Sequence, residues 1–153
     1  MPATALELAV PEAELATAPD VALKTLVELR RLGIRVALDA FGTAESRLAF
    51  PHRYALDTLR IDSAVVKDAV SSADHAAVIR ACVALARPRR LRVVAPGADT
   101  EGHRALLLRL RCDHMRGRLS GAPMLAAEAE AALRAGRDVP KTRTASAPGR
   151  RLI

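Results

Sequence analysis

The hydrophobic positions of the chain form short runs that alternate with segments of helical spacing. Leu6–Val10 and Ile34–Leu38 are apolar runs with the length of a buried strand. Between them, Leu23, Leu26 and Val27 fall on one face of a helix. The pattern therefore predicts a strand, a helix and a second strand in the first part of the chain.

Asp20 and Gly33 mark the predicted ends of this helix. Aspartate is a favoured N-cap, and glycine often follows the last helical turn because it adopts a left-handed backbone conformation without strain. The same alternation continues beyond Gly33. The further predicted strands are Thr58–Ile61, Leu91–Ala95 and Arg111–Met115, and the further predicted helices are Asp74–Arg87, Thr100–Leu110 and Leu125–Ala135.

Strands that are separated by helices pair in parallel, which predicts either a doubly wound sheet or part of a β/α barrel. Polar or glycine-containing segments follow the strands at Asp39–Gly42, Asp62–Ser63 and Pro96–Asp99, where a barrel carries its chemistry. No Gly-x-Gly-x-x-Gly segment supports a nucleotide-binding doubly wound sheet. We therefore expect an α/β fold, a partial β/α barrel of about five parallel strands alternating with helices.

The net charge of +7 is unevenly distributed, because Arg137–Ile153 contributes +4 of it. This segment is rich in Pro, Ser and Thr, which predicts a disordered basic tail behind a domain of residues 1–136. Phe41, Phe50 and Tyr54 are too few aromatic residues for the stacking platform of a single-strand nucleic-acid binder. Nucleic acid is therefore not the expected partner.

Cys82 and Cys112 are too few for a disulfide framework, and we expect both to be small buried side chains. His103 and His114 have no partners at metal-ligand spacing and are expected to be structural. No apolar run is long enough to cross a bilayer, and the acidic, proline-interrupted start does not resemble a secretory signal. We expect a cytoplasmic protein without a membrane span.

Six motifs in one order resemble those of the EAL domain family, bacterial signalling enzymes that hydrolyse cyclic di-GMP with divalent metal. The motifs are Leu6–Glu12 (LELAVPE), Leu26–Gly33 (LVELRRLG), Ala37–Ala44 (ALDAFGTA), Leu59–Asp62 (LRID), Val94–Thr100 (VAPGADT) and Cys112–Gly117 (CDHMRG). The resemblance implies a TIM-type barrel of which this chain holds the C-terminal portion. It also implies Mg²⁺ or Mn²⁺ as the family's cofactor.

Three carboxylates of the family pattern are replaced here, by Ala9, Ala40 and Pro96. Asp39 is the retained carboxylate and the candidate metal contact. A hard divalent cation takes about six oxygen ligands, so one carboxylate does not hold a pair of cations. The resemblance therefore implies no catalytic residue and no bound cofactor in this chain, and we expect that it is not an enzyme.

Arg60 and Arg116 stand where the family has Lys and Gln, and they are the candidate ligand-binding residues. A guanidinium binds phosphate but does not readily transfer protons. The expected function is that of a catalytically degenerate EAL-like domain with a binding or regulatory role in cyclic di-GMP signalling. Its partner would be cyclic di-GMP or another protein, and unpaired strand edges predict self-association. Two alternatives stay open: a residual metal-dependent cyclic di-GMP phosphodiesterase and a basic nucleic-acid-binding module.

Overall fold

A computed structural model describes residues 2–44, 46, 54–120 and 125–134. Its five parallel strands are β1 (Glu7–Pro11), β2 (Arg35–Phe41), β3 (Thr58–Ile61), β4 (Arg92–Pro96) and β5 (His114–Arg116). Its α-helices are α1 (Glu12–Thr17), α2 (Pro19–Arg31), α3 (Ser63–Asp68), α4 (Ala73–Ala86), α5 (Glu101–Arg109) and α6 (Ala126–Arg134). Short 3₁₀ turns lie at Ala3–Ala5, Arg87–Arg89 and Arg118–Ser120.

The strand order in the sheet is the order along the chain, β1-β2-β3-β4-β5. A doubly wound sheet instead reverses its strand order at a switch point. The Oε2 atom of Glu7 on β1 accepts a hydrogen bond from the Nη2 atom of Arg92 on β4 at 2.6 Å. In a flat sheet these strands would lie about 14 Å apart, so the sheet is strongly curled. The expected partial barrel is confirmed.

The hydrophobic core lies between the convex face of the sheet and the helices. Strand side chains alternate between two faces, and on strands β2–β5 the convex side chains are buried. This set includes Val36, Leu38, Leu59, Ile61, Val93 and Met115, which cluster with Leu26, Ile79 and Leu107 of the helices. Burial of this apolar layer is the main favourable contribution to folding.

The concave face of the sheet carries a cluster of charged and polar side chains. Glu7 forms its centre at the amino-terminal end of the strands, because its Oε2 atom also accepts a hydrogen bond from Thr58 Oγ1 at 2.8 Å. The Nε atom of Arg35 lies 4.0 Å from the same oxygen. One carboxylate thus joins β1, β2, β3 and β4 through Glu7, Arg35, Thr58 and Arg92.

Three helical segments end in the same left-handed turn before the next strand. Gly33, Arg90 and Arg111 have φ values of +83°, +57° and +63°. After α2, Gly33 N donates to Arg30 O and Ile34 N donates to Leu29 O, which is the hydrogen-bond pattern of a Schellman motif. The two arginines make the corresponding bonds without the conformational freedom of glycine.

Several predicted boundaries are corrected by the structure. The N-cap of α2 is Ala18 rather than Asp20, because Pro19 occupies the first helical position and needs no hydrogen-bond acceptor for its nitrogen. Strand β5 begins at His114 rather than Arg111, because Arg111 still belongs to the turn that ends α5.

The six-residue helices α1 and α3 were not predicted, since each is too short to show a helical period. The predicted tail, Arg137–Ile153, lies outside the described residues. Among the helices that the structure describes, none is long and apolar enough to cross a membrane.

Candidate functional site

The candidate site lies at the carboxyl-terminal edge of the sheet, on its concave side. Asp39 on β2 and Arg60 on β3 are cross-strand neighbours there, and Asp39 Oδ2 lies 3.4 Å from Arg60 Nη1. Their side chains are 34% and 22% exposed. The structure therefore brings together the candidate metal contact and one candidate ligand-binding residue, as an ion pair that solvent still reaches.

An irregularity in β2 lies beside Asp39 at this edge. The pairing of β2 with β3 shifts between Leu38 and Phe41, and Ala40 takes a left-handed conformation with φ of +53°. Phe41 thereby returns to the buried face, while Asp39 Oδ1 accepts a hydrogen bond from Ala40 N at 3.0 Å. Such a bulge commonly re-aims a side chain beside a functional site.

Arg116 lies on β5 and is exposed. Arg60 is in register with Val94, Val94 is in register with His114, and Arg116 follows His114 by two residues, so Arg60 and Arg116 share the concave face. Strand spacing separates their Cα atoms by about 12 Å. The structure places the two arginines on one surface but not in one contact.

Asp62 and His103 have structural roles at this edge. The Asp62 side chain accepts a hydrogen bond from Ala64 N at 2.7 Å and is the N-cap of α3. The buried His103 ring lies 2.8 Å from Thr100 Oγ1 through Nδ1 and 2.9 Å from Lys67 O through Nε2. Because a carbonyl oxygen only accepts, the geometry assigns the proton of the neutral ring to Nε2.

The donor set at this edge does not fit a pair of Mg²⁺ or Mn²⁺ ions. Within the described ranges, no three or more His, Cys, Asp and Glu side chains are grouped so that they could hold a metal. The one carboxylate at the candidate position, Asp39, already faces the guanidinium of Arg60. Hard cations require several anionic or neutral oxygen ligands, which these side chains do not supply.

Asp99 is a residue of this edge that the sequence did not single out as a contact. Its Oδ1 atom accepts a hydrogen bond from Arg118 N at 2.9 Å, and its Oδ2 atom lies 3.6 Å from Arg118 Nε. The hydrogen bond from the Arg118 main chain lowers the pKa of Asp99; burial opposes this effect, and the positive charge of Arg118 adds to it. No sequence signal joins residues 19 positions apart in two loops.

Both cysteines are buried and free, as expected. Burial raises the pKa of Cys82 to about 11 and that of Cys112 to about 12. A thiol with so high a pKa stays protonated at neutral pH and is a poor nucleophile. Neither cysteine contributes to the candidate site.

Known proteins with similar sequences include named cyclic di-GMP phosphodiesterases. The chain is 36% identical over 105 residues to the bifunctional diguanylate cyclase/cyclic di-GMP phosphodiesterase MucR of Pseudomonas aeruginosa, a match that covers 69% of this chain. It is 36% identical over 132 residues to the cyclic di-GMP phosphodiesterase NbdA of the same species, covering 86% of this chain. The matches span only 15% of MucR and 17% of NbdA.

Solved structures show the same fold. The Pseudomonas aeruginosa MucR phosphodiesterase in complex with c-di-GMP matches with a TM-score of 0.78 and 33% identity, over 84% of this chain and 52% of that one. The EAL domain of Mycobacterium smegmatis DcpA matches with a TM-score of 0.78 and 34% identity, over 86% of this chain and 59% of that one.

These relatives correct one expectation. The replaced carboxylates led us to expect that the chain is not an enzyme, and this is wrong, because NbdA and MucR are named as phosphodiesterases. The physical reason is that a motif comparison shows only that Ala9, Ala40 and Pro96 replace three carboxylates. It does not measure what the assembled edge does.

The family assignment rests on most of the chain. The model of the EAL domain matches residues 1–123. The five parallel strands and their alternation with helices agree with that match. The chain belongs to the EAL domain family, whose relatives act in cyclic di-GMP signalling.

Proposed function

We propose that the chain binds cyclic di-GMP at the carboxyl-terminal edge of its sheet, with Arg60 and Arg116 as the residues that contact phosphate. The observation that carries this proposal is the placement of both arginines on one concave surface, with Arg60 held by Asp39. The MucR structure with c-di-GMP supports the choice of ligand.

The chemistry of the two arginines suits a cyclic dinucleotide. Each of its two phosphodiesters carries one negative charge, and a guanidinium donates two parallel hydrogen bonds to such a group. Arg60 is the more enclosed of the two, so its charge is less screened by water than that of the exposed Arg116. Asp39 restricts the Arg60 side chain before the ligand arrives, which reduces the entropy lost on binding.

The same ion pair bears on the metal requirement of binding. The guanidinium of Arg60 supplies a positive charge beside Asp39, at the carboxylate that resembles the family's metal contact. A divalent cation would have to displace that guanidinium and would find few further oxygen ligands. We therefore expect cyclic di-GMP to bind equally well with and without Mg²⁺ or Mn²⁺.

Isothermal calorimetry with cyclic di-GMP, in EDTA and in Mn²⁺, tests this proposal. Arg60→Ala and Arg116→Ala are each expected to weaken binding by about tenfold or more, because a hydrogen bond between charged groups is lost. The double variant Asp39→Asn with Arg60→Met separates loss of the phosphate contact from repulsion by an unpaired carboxylate. Arg109→Ala, an exposed charge on α5, is the matched control and should leave the affinity unchanged within about twofold.

Equal affinity of Arg60→Ala and the wild type would overturn the assignment of Arg60. Chromatography of the same mixtures for the linear dinucleotide measures hydrolysis directly. Binding or product that requires Mn²⁺ would show that a cation is recruited and would overturn the metal-independent part of the proposal. Competition by random-sequence DNA at low salt would favour the nucleic-acid alternative instead.

We also propose that the protein is cytoplasmic and that it self-associates. Strands β1 and β5 form the edges of the sheet, and Leu6 and Leu8 at the β1 edge are 40% and 42% exposed. An open strand edge beside exposed leucines favours association with another chain. Light scattering at micromolar concentration tests this, and a stable monomer would contradict it.

A further inference from the structure

Two loops at the carboxyl-terminal edge are fastened to each other. The first is Gly97–Thr100, between β4 and α5, and the second is Gly117–Arg118, directly after β5. Ala98 N donates to Arg116 O at 3.0 Å, and Arg118 N donates to Asp99 Oδ1 at 2.9 Å. The two hydrogen bonds run in opposite directions and lie on either side of Gly117.

Gly117 brings the two backbones unusually close. A Cβ atom at this position would lie 2.3 Å from Ala98 O and 2.6 Å from Ala98 C. No side chain fits there, so the contact is specific to glycine. Ala98 is itself 1% exposed, which leaves this loop little room to move away.

Arg116 is the residue immediately before this contact. Its own carbonyl accepts one of the two hydrogen bonds, and its neighbour Gly117 makes the close approach. The backbone position of Arg116, the last residue of β5, therefore depends on the Gly117–Arg118 loop, which Asp99 holds through Arg118. The Asp99 carboxylate is half-buried and bridges main chain and side chain of Arg118.

We propose that Asp99 is a positioning residue for Arg116: by fastening Arg118 it orders the loop after β5 and so holds Arg116 in place for a phosphodiester ligand. This inference rests on the proposed function, because Arg116 is there the phosphate contact. Asp99 itself does not touch the ligand, since its two oxygens are directed to Arg118.

A double-mutant cycle on cyclic di-GMP binding tests the proposal. Asp99→Ala is expected to weaken binding by about fivefold, the equivalent of one lost hydrogen bond. In the Arg116→Ala background, Asp99→Ala should cause no further loss. Asp99→Asn keeps an oxygen acceptor for Arg118 N and should recover most of the affinity.

Asp113→Ala is the matched control, because Asp113 precedes β5 at the opposite end of the sheet. Its Oδ2 atom accepts a hydrogen bond from Val93 N at 2.9 Å, which is the same kind of carboxylate-to-backbone contact. At a temperature where all variants are folded, as shown by thermal melts, Asp113→Ala should bind like the wild type.

The outcomes separate this proposal from the one on which it rests. A wild type that binds cyclic di-GMP, with Asp99→Ala binding equally well, overturns the positioning role alone. Losses that multiply fully in the double variant also overturn it, because Asp99 would then act independently of Arg116. A wild type that does not bind cyclic di-GMP overturns the proposed function and this inference together.

Discussion

At the amino-terminal end of the sheet, Asp57 and Asp113 bind the backbone of the neighbouring strand, whereas at the carboxyl-terminal edge Asp39 faces the guanidinium group of Arg60. Asp57 Oδ2 accepts from Val36 N and Asp113 Oδ2 accepts from Val93 N, each at 2.9 Å, and each aspartate also donates its own N–H to the carbonyl of the same valine. At the other edge, Asp39 and Arg60 lie 3.4 Å apart.

The strand backbone also differs between the two ends. At the carboxyl edge, Ala40 is left-handed within β2 and this strand carries a bulge, whereas the left-handed residues at the amino end lie in the turns before the strands. The amino end holds the strands in regular register. The difference teaches that Asp57 and Asp113 secure strand pairing at one end, whereas Asp39 keeps a partly exposed charge at the other, in agreement with the division of labour of β/α barrels.

The largest expected effect is a loss of stability caused by a substitution at the carboxyl edge. Such a loss would break the division between a stabilising end and a functional end. Gly117→Ala places a methyl group against Ala98 O and should destabilise the fold by about 3 kcal/mol, measured by urea denaturation. Gly102→Ala is the control: its Cβ would meet Val70 Cγ1 at an ordinary 3.4 Å, and alanine favours the helix α5. A Gly117→Ala variant as stable as the wild type would show that the two loops can separate freely.

The next effect sharpens the comparison of carboxylates. Asp57→Ala removes the acceptor of Val36 N beside the buried core and should cost about 2 kcal/mol. Asp39→Ala removes a partly exposed ion pair and should cost less than about 1 kcal/mol. Equal losses of unfolding free energy for the two variants would remove the distinction between the ends.

Acid titration tests how much Asp99, at the carboxyl edge, contributes to stability. Its pKa is lower in the folded state than the ordinary 3.8, so its stabilising contribution is present above about pH 4 and is lost as the pH falls through the folded pKa. The difference in melting temperature between wild type and Asp99→Asn should therefore be constant from neutral pH to about pH 5 and shrink below pH 4. A difference that shrinks already at neutral pH would contradict the lowered pKa.

The smallest effect concerns Ala40. An alanine at φ of +53° is strained, and this residue is exposed, so Ala40→Gly removes the strain without loss of packing. We expect a gain of less than about 1 kcal/mol, since the greater entropy of unfolded glycine offsets part of the relief. Thermal melts of the two proteins measure it, and destabilisation would show that Ala40 is not strained.

Much of the fold could be predicted from local pattern. The strand Thr58–Ile61 was predicted with its observed bounds, and the helices at Asp74–Arg87 and Thr100–Leu110 within one residue, because their apolar periods are clear. The helix ends at Arg90 and Arg111 were not recognised as left-handed turns, since arginine gives no signal of positive φ.

The candidate site was predicted as positions but not as contacts. The motifs singled out Asp39, Arg60 and Arg116, and in the structure these residues lie in the carboxyl-terminal parts of β2, β3 and β5. The ion pair of Asp39 with Arg60 depends on the register of β2 with β3, which no residue pattern indicates.

The sequence by itself determined the alternation of strands and helices, the parallel pairing that follows from it, and the family to which the chain belongs. Only the tertiary structure decided which charges meet, as in the contact of Glu7 with Arg92 across 85 residues and that of Asp99 with Arg118 between two loops. The physical reason is that hydrophobic period is a local property of the chain. Ion pairing between distant residues depends on strand register and sheet curvature, which exist only once the core is packed.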